Sequence, residues 1–171
     1  MDEKAQIYAR LDALGVRYER AEHAPAETME DLAGVMRLLD CMIPKNLFLT
    51  PRNQSAFYLC LTMPDAAFRT ADISKQIGSS RLSFGPADRL REYLHTYPGA
   101  ISPMGLIFGE SRAVNLLIDE RLFPLPRLGF HPNDNRETLV LSGHDFFEVF
   151  LPSTGHAPQR VILSNSPNLQ F

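Results

Sequence analysis

Lys45 is the first residue of the chain whose type and position suit binding chemistry. It follows Pro44 and directly precedes the apolar run Leu47 to Leu49. A lysine at the edge of a strand is usually a solvated end or a guard against edge pairing. The alternative is a point charge that holds a phosphate or a carboxylate at the edge of a sheet. Lys45 is therefore a candidate anion-binding residue.

A second candidate is the turn-rich segment Gly99-Ala-Ile-Ser-Pro103, which lies between Pro98 and Gly105. A glycine and a proline four residues apart are typical of ordinary surface loops. They also suit a rigid loop whose free backbone N–H groups line a pocket and polarise a carbonyl oxygen. The spacing alone leaves both interpretations open.

His131 is the third candidate. It precedes Pro132, which favours an extended backbone, and short polar residues follow at 133–135. Such a histidine is often only a turn residue, but it is equally suited to donate a hydrogen bond or shuttle a proton near neutral pH. The other four histidines show no HxxxH or HxH spacing. We therefore expect neither a metal nor a cofactor.

Composition limits the class of protein. The chain has 171 residues, of which 44% are hydrophobic and 22% charged, which suits one globular domain. No apolar run approaches the ~20 residues of a membrane span, and the N-terminus lacks the apolar region of a signal peptide. Cys41 and Cys60 show no CxxC spacing and are expected to be reduced, buried thiols. We expect a cytoplasmic protein that does not associate with membranes.

The charge balance limits the nucleic-acid partners. Seventeen basic residues face 20 acidic ones, for a net charge of −3, and no stretch forms a basic block. A general DNA-binding protein usually has a basic excess, because neutralising phosphates supplies most of its non-specific affinity. Any nucleic acid is therefore expected to be held by a few placed cations or by contact with its end. An enzyme or a small-ligand protein is favoured, with no DNA partner.

Hydrophobic periodicity predicts an α+β domain over residues 1–152 with a central mixed, mostly antiparallel sheet flanked by helices. After Pro152 the pattern stops, so residues 153–171 are interpreted as a tail that is only partly ordered or vector-derived. Helices are predicted around 2–14, from 28 to 39, over 73–77, from 86 and from 142; strands over 16–19, 46–50, 56–61, 113–118 and 137–141; and a polar loop over 129–135.

Four motifs in order carry a family resemblance: Pro44-Lys-Asn-Leu-Phe-Leu49, Ile77-Gly-Ser-Ser-Arg-Leu-Ser83, Pro98-Gly-Ala-Ile-Ser-Pro103 and Gly129-Phe-His-Pro-Asn-Asp-Asn135. With them, the chain resembles the YbaK/prolyl-tRNA synthetase-associated family of aminoacyl-tRNA editing domains, up to about Leu151. Within that family it most resembles the free-standing branch that deacylates alanyl-tRNA(Pro).

The resemblance implies a trans-editing hydrolase that cleaves the ester of mischarged alanyl-tRNA(Pro) and so corrects errors of prolyl-tRNA synthetase. The implied partners are the acceptor end of that tRNA and, as a carrier, prolyl-tRNA synthetase. Lys45 and His131 become the catalytic candidates. The implied substrate-binding residues are Asn46, Gly99, Ala100, Ile101, Ser102 and Pro103.

Two alternatives remain open at this point. The domain is a deacylase for another small mischarged amino acid, serine or cysteine, or it is a catalytically silent module that binds a tRNA end or an amino acid. For contacts to the tRNA backbone the sequence offers Arg52, Lys75 and Arg81, although each is also an ordinary solvated surface charge.

Overall fold

A computed structural model of the protein describes residues 1–164. Within this range the strands are β1 (Tyr18–Glu22), β2 (Lys45–Pro51), β3 (Phe57–Thr62), β4 (Leu82–Phe84), β5 (Val114–Asp119), β6 (Arg127–Phe130), β7 (Glu137–Ser142) and β8 (Gln159–Val161). The α-helices are α1 (Glu3–Ala13), α2 (Met29–Leu39), α3 (Thr70–Ile77), α4 (Ala87–Leu94) and α5 (Leu151–Thr154). These elements confirm the α+β class.

The larger sheet has five strands in the order β4-β2-β3-β5-β8. It is mixed, because β2 runs antiparallel to β3 and β4 whereas β5 runs parallel to β3 and β8. The strand predicted over 56–61 is β3, and it is central as expected. Its apolar residues are buried on both faces, as a strand covered on two sides requires.

A second, three-stranded sheet has the order β1-β7-β6 and is antiparallel throughout. Its residues Leu139 and Leu141 share one apolar cluster with Leu59 and Ile118 of the larger sheet. The two sheets therefore enclose a common core. An isolated bridge between Met42 and Leu128 joins the start of β2 to the smaller sheet.

The other face of the larger sheet is covered by α3. Strand alternation places Lys45, Leu47 and Leu49 on this face, where Leu49 packs with Leu82 and with Ile73 of α3. Asn46 and Phe48 point to the opposite face, and Phe48 lies in the common core. The first two residues of β2 thus project to different sides of the sheet at the point where the strand begins.

On the second half of the chain the structure corrects one prediction and adds a strand that the sequence pattern does not show. The polar loop predicted over 129–135 begins later, because Gly129 and Phe130 belong to β6. Glycine is needed there, since a Cβ at Gly129 would lie 2.9 Å from the Cys41 Sγ. The pattern after Pro152 indicates no further element, yet β8 pairs with β5, and Val161 is fully buried.

The predicted last helix is present but begins with a π-helical segment, Asp145–Phe150, which continues into α5. Its N-terminus uses the predicted cap, because the Asp145 N–H donates to Ser142 Oγ at 3.0 Å. Pro152 lacks an N–H and its ring clashes with a carbonyl one turn earlier, which the wider turn relieves. The predicted tail also includes residues 165–171, which lie outside the described residues. Within residues 1–164, no helix is long and apolar enough to cross a membrane.

Candidate functional site

A cleft of ≈ 510 Å³ lies where the start of β2 meets two loops. Its walls come from β2, the segment 97–101, the loop 131–135 and the first turn of α2. The predicted site residues that line it are Lys45, Asn46, Gly99, Ile101 and His131. The volume falls in the range of about 300–1,000 Å³ that small-ligand sites occupy.

Lys45 contributes an uncommitted positive charge to this cleft. It is the first residue of β2 and lies opposite Thr62 of β3. Among residues 1–164 its side chain forms neither a hydrogen bond nor an ion pair, whereas Lys4 and Arg121 are both held by carboxylates. The Lys45 ammonium group is therefore free to bind an anion.

Asn46 contributes an acceptor that lacks a partner. Its Nδ2 donates to the Pro44 carbonyl at 3.1 Å, which fixes the amide. Its Oδ1 is buried and accepts no hydrogen bond within the described residues. Leaving such an oxygen unsatisfied costs about 1–3 kcal/mol, and a ligand that donates to it would recover that cost.

The segment 98–103 divides into a part that faces the cleft and a part behind it. Gly99 and Ile101 line the cleft, and Gly99 lies in the first turn of a 3-10 helix, Pro98–Ala100, where a backbone N–H has no partner within the helix. Ala100, Ser102 and Pro103 are buried and do not line the cleft.

Each of the buried residues in this segment has a structural contact. The Ala100 carbonyl accepts from Thr96 Oγ1 at 2.8 Å. Ser102 Oγ accepts from the Met104 N–H at 3.1 Å and so caps the next 3-10 helix, Pro103–Ile107. These residues support the shape of the loop and leave Gly99 and Ile101 to meet a ligand.

Tyr97 and Asn135 join this segment to the loop 131–135. The Tyr97 hydroxyl donates to Asn135 Oδ1 at 3.1 Å and accepts from the Asn135 N–H at 3.2 Å. A Cβ at Gly99 would approach Asn135 Nδ2 to 3.4 Å. The small residue therefore lets the two loops meet at the rim of the cleft.

His131 is 7% exposed, and its Nδ1 lies 2.8 Å from the Glu137 carbonyl oxygen. Burial lowers its pKa, outweighing the hydrogen bond to Glu137, which raises it. Because a carbonyl only accepts, the hydrogen-bond pattern assigns the proton of the neutral ring to Nδ1. Nε2 is then a lone-pair acceptor without a partner among residues 1–164, available to a ligand in the cleft.

The carboxylate of Glu137 is a feature that the sequence did not indicate. It is 1% exposed and accepts a hydrogen bond from the Tyr8 hydroxyl of α1. It also forms ion pairs with Lys4 of α1 at 3.1 Å and with Arg20 of β1 at 2.9 Å. The same residue offers its carbonyl to His131. The only sequence signal was an acidic residue at the start of an apolar strand.

Other parts of the fold are less suited to chemistry. A larger cavity of ≈ 660 Å³ lies beside β5 and the segment 152–159, but it contains none of the predicted residues. Its His156 is bonded at both ring nitrogens. Burial raises the pKa of Cys41 to about 11 and of Cys60 to about 12, so neither thiol is an activated nucleophile.

The cleft therefore combines a free cation, an unsatisfied amide oxygen, a neutral imidazole and apolar walls. This set can hold a polar, anionic end group and position a water without a protein nucleophile. Within residues 1–164, no group of three or more His, Cys, Asp or Glu side chains is arranged to hold a metal ion.

The chain is similar in sequence to several known proteins. The chain is 35% identical over 150 residues to a protein of Acetoanaerobium sticklandii named prolyl-tRNA editing protein ProX, covering 87% of this chain and 91% of that one. It is 30% identical over 159 residues to the mouse prolyl-tRNA synthetase associated domain-containing protein 1, covering 91% and 93%.

Solved structures show the same fold at lower identity. One is described as a candidate trans-editing enzyme for prolyl-tRNA synthetase; it matches with a TM-score of 0.72 at 17% identity, over 97% of this chain and 99% of that one. The sequence profile of the aminoacyl-tRNA editing domain matches residues 23–149, which include every residue that the cleft takes from β2 and the two loops. The chain belongs to the aminoacyl-tRNA editing domain family.

Proposed function

We propose that this protein is a trans-editing hydrolase that cleaves the ester of alanyl-tRNA(Pro) and so corrects an error of prolyl-tRNA synthetase. The observation that carries the proposal is the convergence of Lys45, Asn46, Gly99 and His131 on one cleft. The prolyl-tRNA editing protein at 35% identity supports the reaction and the tRNA. This hydrolysis would take place in the cytoplasm, where tRNAs are aminoacylated.

The reaction needs little from the protein beyond positioning. An aminoacyl ester is already activated, so water can add to its carbonyl carbon if it is held in place. The bond to the ribose 3′-oxygen then breaks, that oxygen takes up a proton, and free alanine leaves. The neighbouring 2′-hydroxyl is suited to relay this proton, so the reaction does not require a base from the protein.

The free groups of the cleft suit this substrate. The Lys45 ammonium group would bind the phosphate of the terminal nucleotide, and the orphan Asn46 Oδ1 would accept from the substrate. The Gly99 N–H would donate to the oxyanion that develops on the ester carbonyl. His131 Nε2, a neutral acceptor, would hold a hydroxyl or ammonium group of the substrate.

Alanine is the proposed amino acid because of a size argument. A synthetase site built for proline cannot strongly exclude a smaller side chain, so a second site must remove the product. The apolar wall of this cleft, with Ala26, Leu32, Ile43 and Ile101, suits a small, uncharged side chain. Serine and cysteine are also small, so they are the alternative substrates to test.

The test is deacylation of alanyl-, prolyl-, seryl- and cysteinyl-tRNA(Pro) by substoichiometric protein. We expect rapid loss of alanine and slow loss of proline. Lys45→Ala should lower the rate at least about tenfold, the effect of losing one charge-assisted contact, with the melting temperature unchanged. Arg17→Ala, which removes an equal exposed charge outside the cleft, is the matched control.

The outcomes separate the alternatives. Preferential loss of serine or cysteine would mean that the proposed reaction is correct but that the substrate is seryl- or cysteinyl-tRNA(Pro). If none of the four esters turns over, the catalytically silent binding module is the better explanation. A Lys45→Ala variant that melts early would mean that the residue is structural.

A further inference from the structure

Four cations without a partner surround β4 and α3. Arg69 directly precedes α3, and Lys75 lies on that helix. Arg81 directly precedes β4, and Arg52 directly follows Pro51, the residue of β2 that pairs with Leu82 of β4. Within residues 1–164 none of the four side chains forms a hydrogen bond or an ion pair. The only acidic residue in α3 is Asp72. In a chain of net charge −3, this region is a local positive patch.

Two phenyl rings lie in the same region. Phe84, at the end of the edge strand β4, is 67% exposed, and the half-buried Phe68 lies with its ring centroid 6.3 Å from that of Phe84. A single exposed apolar side chain is ordinary, but apolar side chains grouped at the surface often mark an interaction site. We call Phe68, Phe84 and the four cations the β4 surface.

The β4 surface lies on the same side of the larger sheet as Lys45. Phe84 pairs with Leu49, and residues directly opposite each other share a face. Lys45 is on that face too, four residues earlier along β2, which is a separation of ~13 Å. A strand of nucleic acid whose end enters the cleft can therefore reach the rings directly.

We propose that Phe68 and Phe84 stack the unpaired bases that precede the terminal adenosine of the substrate tRNA, while the surrounding cations contact its backbone. This inference rests on the proposed function and names a second binding surface for the same substrate. Aromatic rings beside unpaired cations are the usual means of holding single-stranded nucleic acid, because every base offers a face to stack on.

Charge is what favours a nucleic acid over a protein partner here. The four cations, around a helix with a single carboxylate, complement a phosphate backbone. Tight protein interfaces tend instead to exclude unpaired charge from their centres. The sequence left Arg52, Lys75 and Arg81 as either solvated charges or contacts to the tRNA backbone, and their positions around β4 and α3 favour the second interpretation.

The test compares a long and a minimal substrate in the full-length protein. Phe84→Ala should lower kcat/KM for alanyl-tRNA(Pro) at least about fivefold, the lower end for losing one base–aromatic stack. It should leave hydrolysis of 3′-alanyl-adenosine, which reaches only the cleft, unchanged. Phe84→Tyr should restore the rate. Leu38→Ala, which removes a side chain that is 75% exposed near the end of α2, is the control.

Each outcome has a defined meaning. If wild-type protein hydrolyses neither substrate, the proposed function fails and the surface is not at issue. If it hydrolyses both and Phe84→Ala matches wild type on alanyl-tRNA, the β4 surface does not bind the tRNA and the proposal is overturned. An equal loss on both substrates would also overturn the proposal, because it would show a structural effect on the cleft.

Discussion

Replacing the buried carboxylate of Glu137 tests how the smaller sheet and α1 are held together. In Glu137→Gln the side chain keeps its shape but loses the charge that Tyr8, Lys4 and Arg20 share. Breaking a buried ion pair costs about 3–5 kcal/mol. The Lys4 and Arg20 side chains are 35% and 49% exposed, so both regain water when released. We therefore expect a loss of about 2 kcal/mol in the free energy of unfolding.

The assay is urea and thermal unfolding at pH 7. For a chain of this size, a loss of this magnitude lowers the melting temperature by roughly 4–8 °C. Glu148→Gln, which changes an exposed carboxylate in the π-helical segment, is the control and should stay within about 0.5 kcal/mol of wild type.

The effect should also depend on pH. Burial by itself raises the pKa of Glu137, but its hydrogen bonds with Tyr8 and Lys4 and its neighbouring charges lower it overall. The carboxylate therefore stabilises the fold fully above its unfolded pKa of ~4.3, and the effect is lost as the pH falls through the lower, folded-state pKa. The gap between wild type and Glu137→Gln should shrink below about pH 4. A gap under 0.5 kcal/mol at pH 7, or one constant from pH 3 to 7, would refute this reasoning.

Three further predictions use other parts of the fold. Gly105→Ala should lower the free energy of unfolding in urea by more than about 1 kcal/mol, because the new Cβ would lie 2.4 Å from the Leu94 carbonyl oxygen. An unchanged free energy of unfolding would show that the backbone around Leu94 moves away at no cost. Cys60, which is fully buried, should react with an aromatic disulfide at pH 8 far more slowly than in urea, and equal rates would contradict its burial; Cys41 is only half-buried and should react sooner. Because burial lowers the pKa of His131, hydrolysis should be flat around pH 7 and fall on acidification through that pKa, and the fall should be lost in His131→Asn.

Features set by neighbouring residues were predictable from the sequence. The start of α2 near Thr28 follows from local capping, and the structure shows a complete capping box between Thr28 and Asp31. The end of α3 follows from Gly78, which adopts the left-handed conformation. The convergence of Lys45 and His131 on one cleft came from the family resemblance rather than from spacing.

Features set by distant residues were not predictable. Strands β4, β6 and β8 have three or four residues each, too few to show a period, and they exist because a partner strand offers free backbone groups. The cluster around Glu137 joins residues more than 100 positions apart in sequence. The separation of Ala100, Ser102 and Pro103 from the cleft also required the backbone path of the loop, which a motif does not specify.

The pairing of β1 with β7 has a consequence for synthesis on the ribosome. Tyr18 lies opposite Leu141, so the N-terminal strand emerges about 120 residues before its partner. At roughly 5–20 residues per second, that is a wait of about 6–24 s. Ile7 and Leu11 of α1, which are fully buried in the finished protein, also wait for partners made much later, among them the segment Pro103–Ile107. We therefore expect the beginning of the nascent chain to be exposed longer than the segments that pair with close neighbours in sequence.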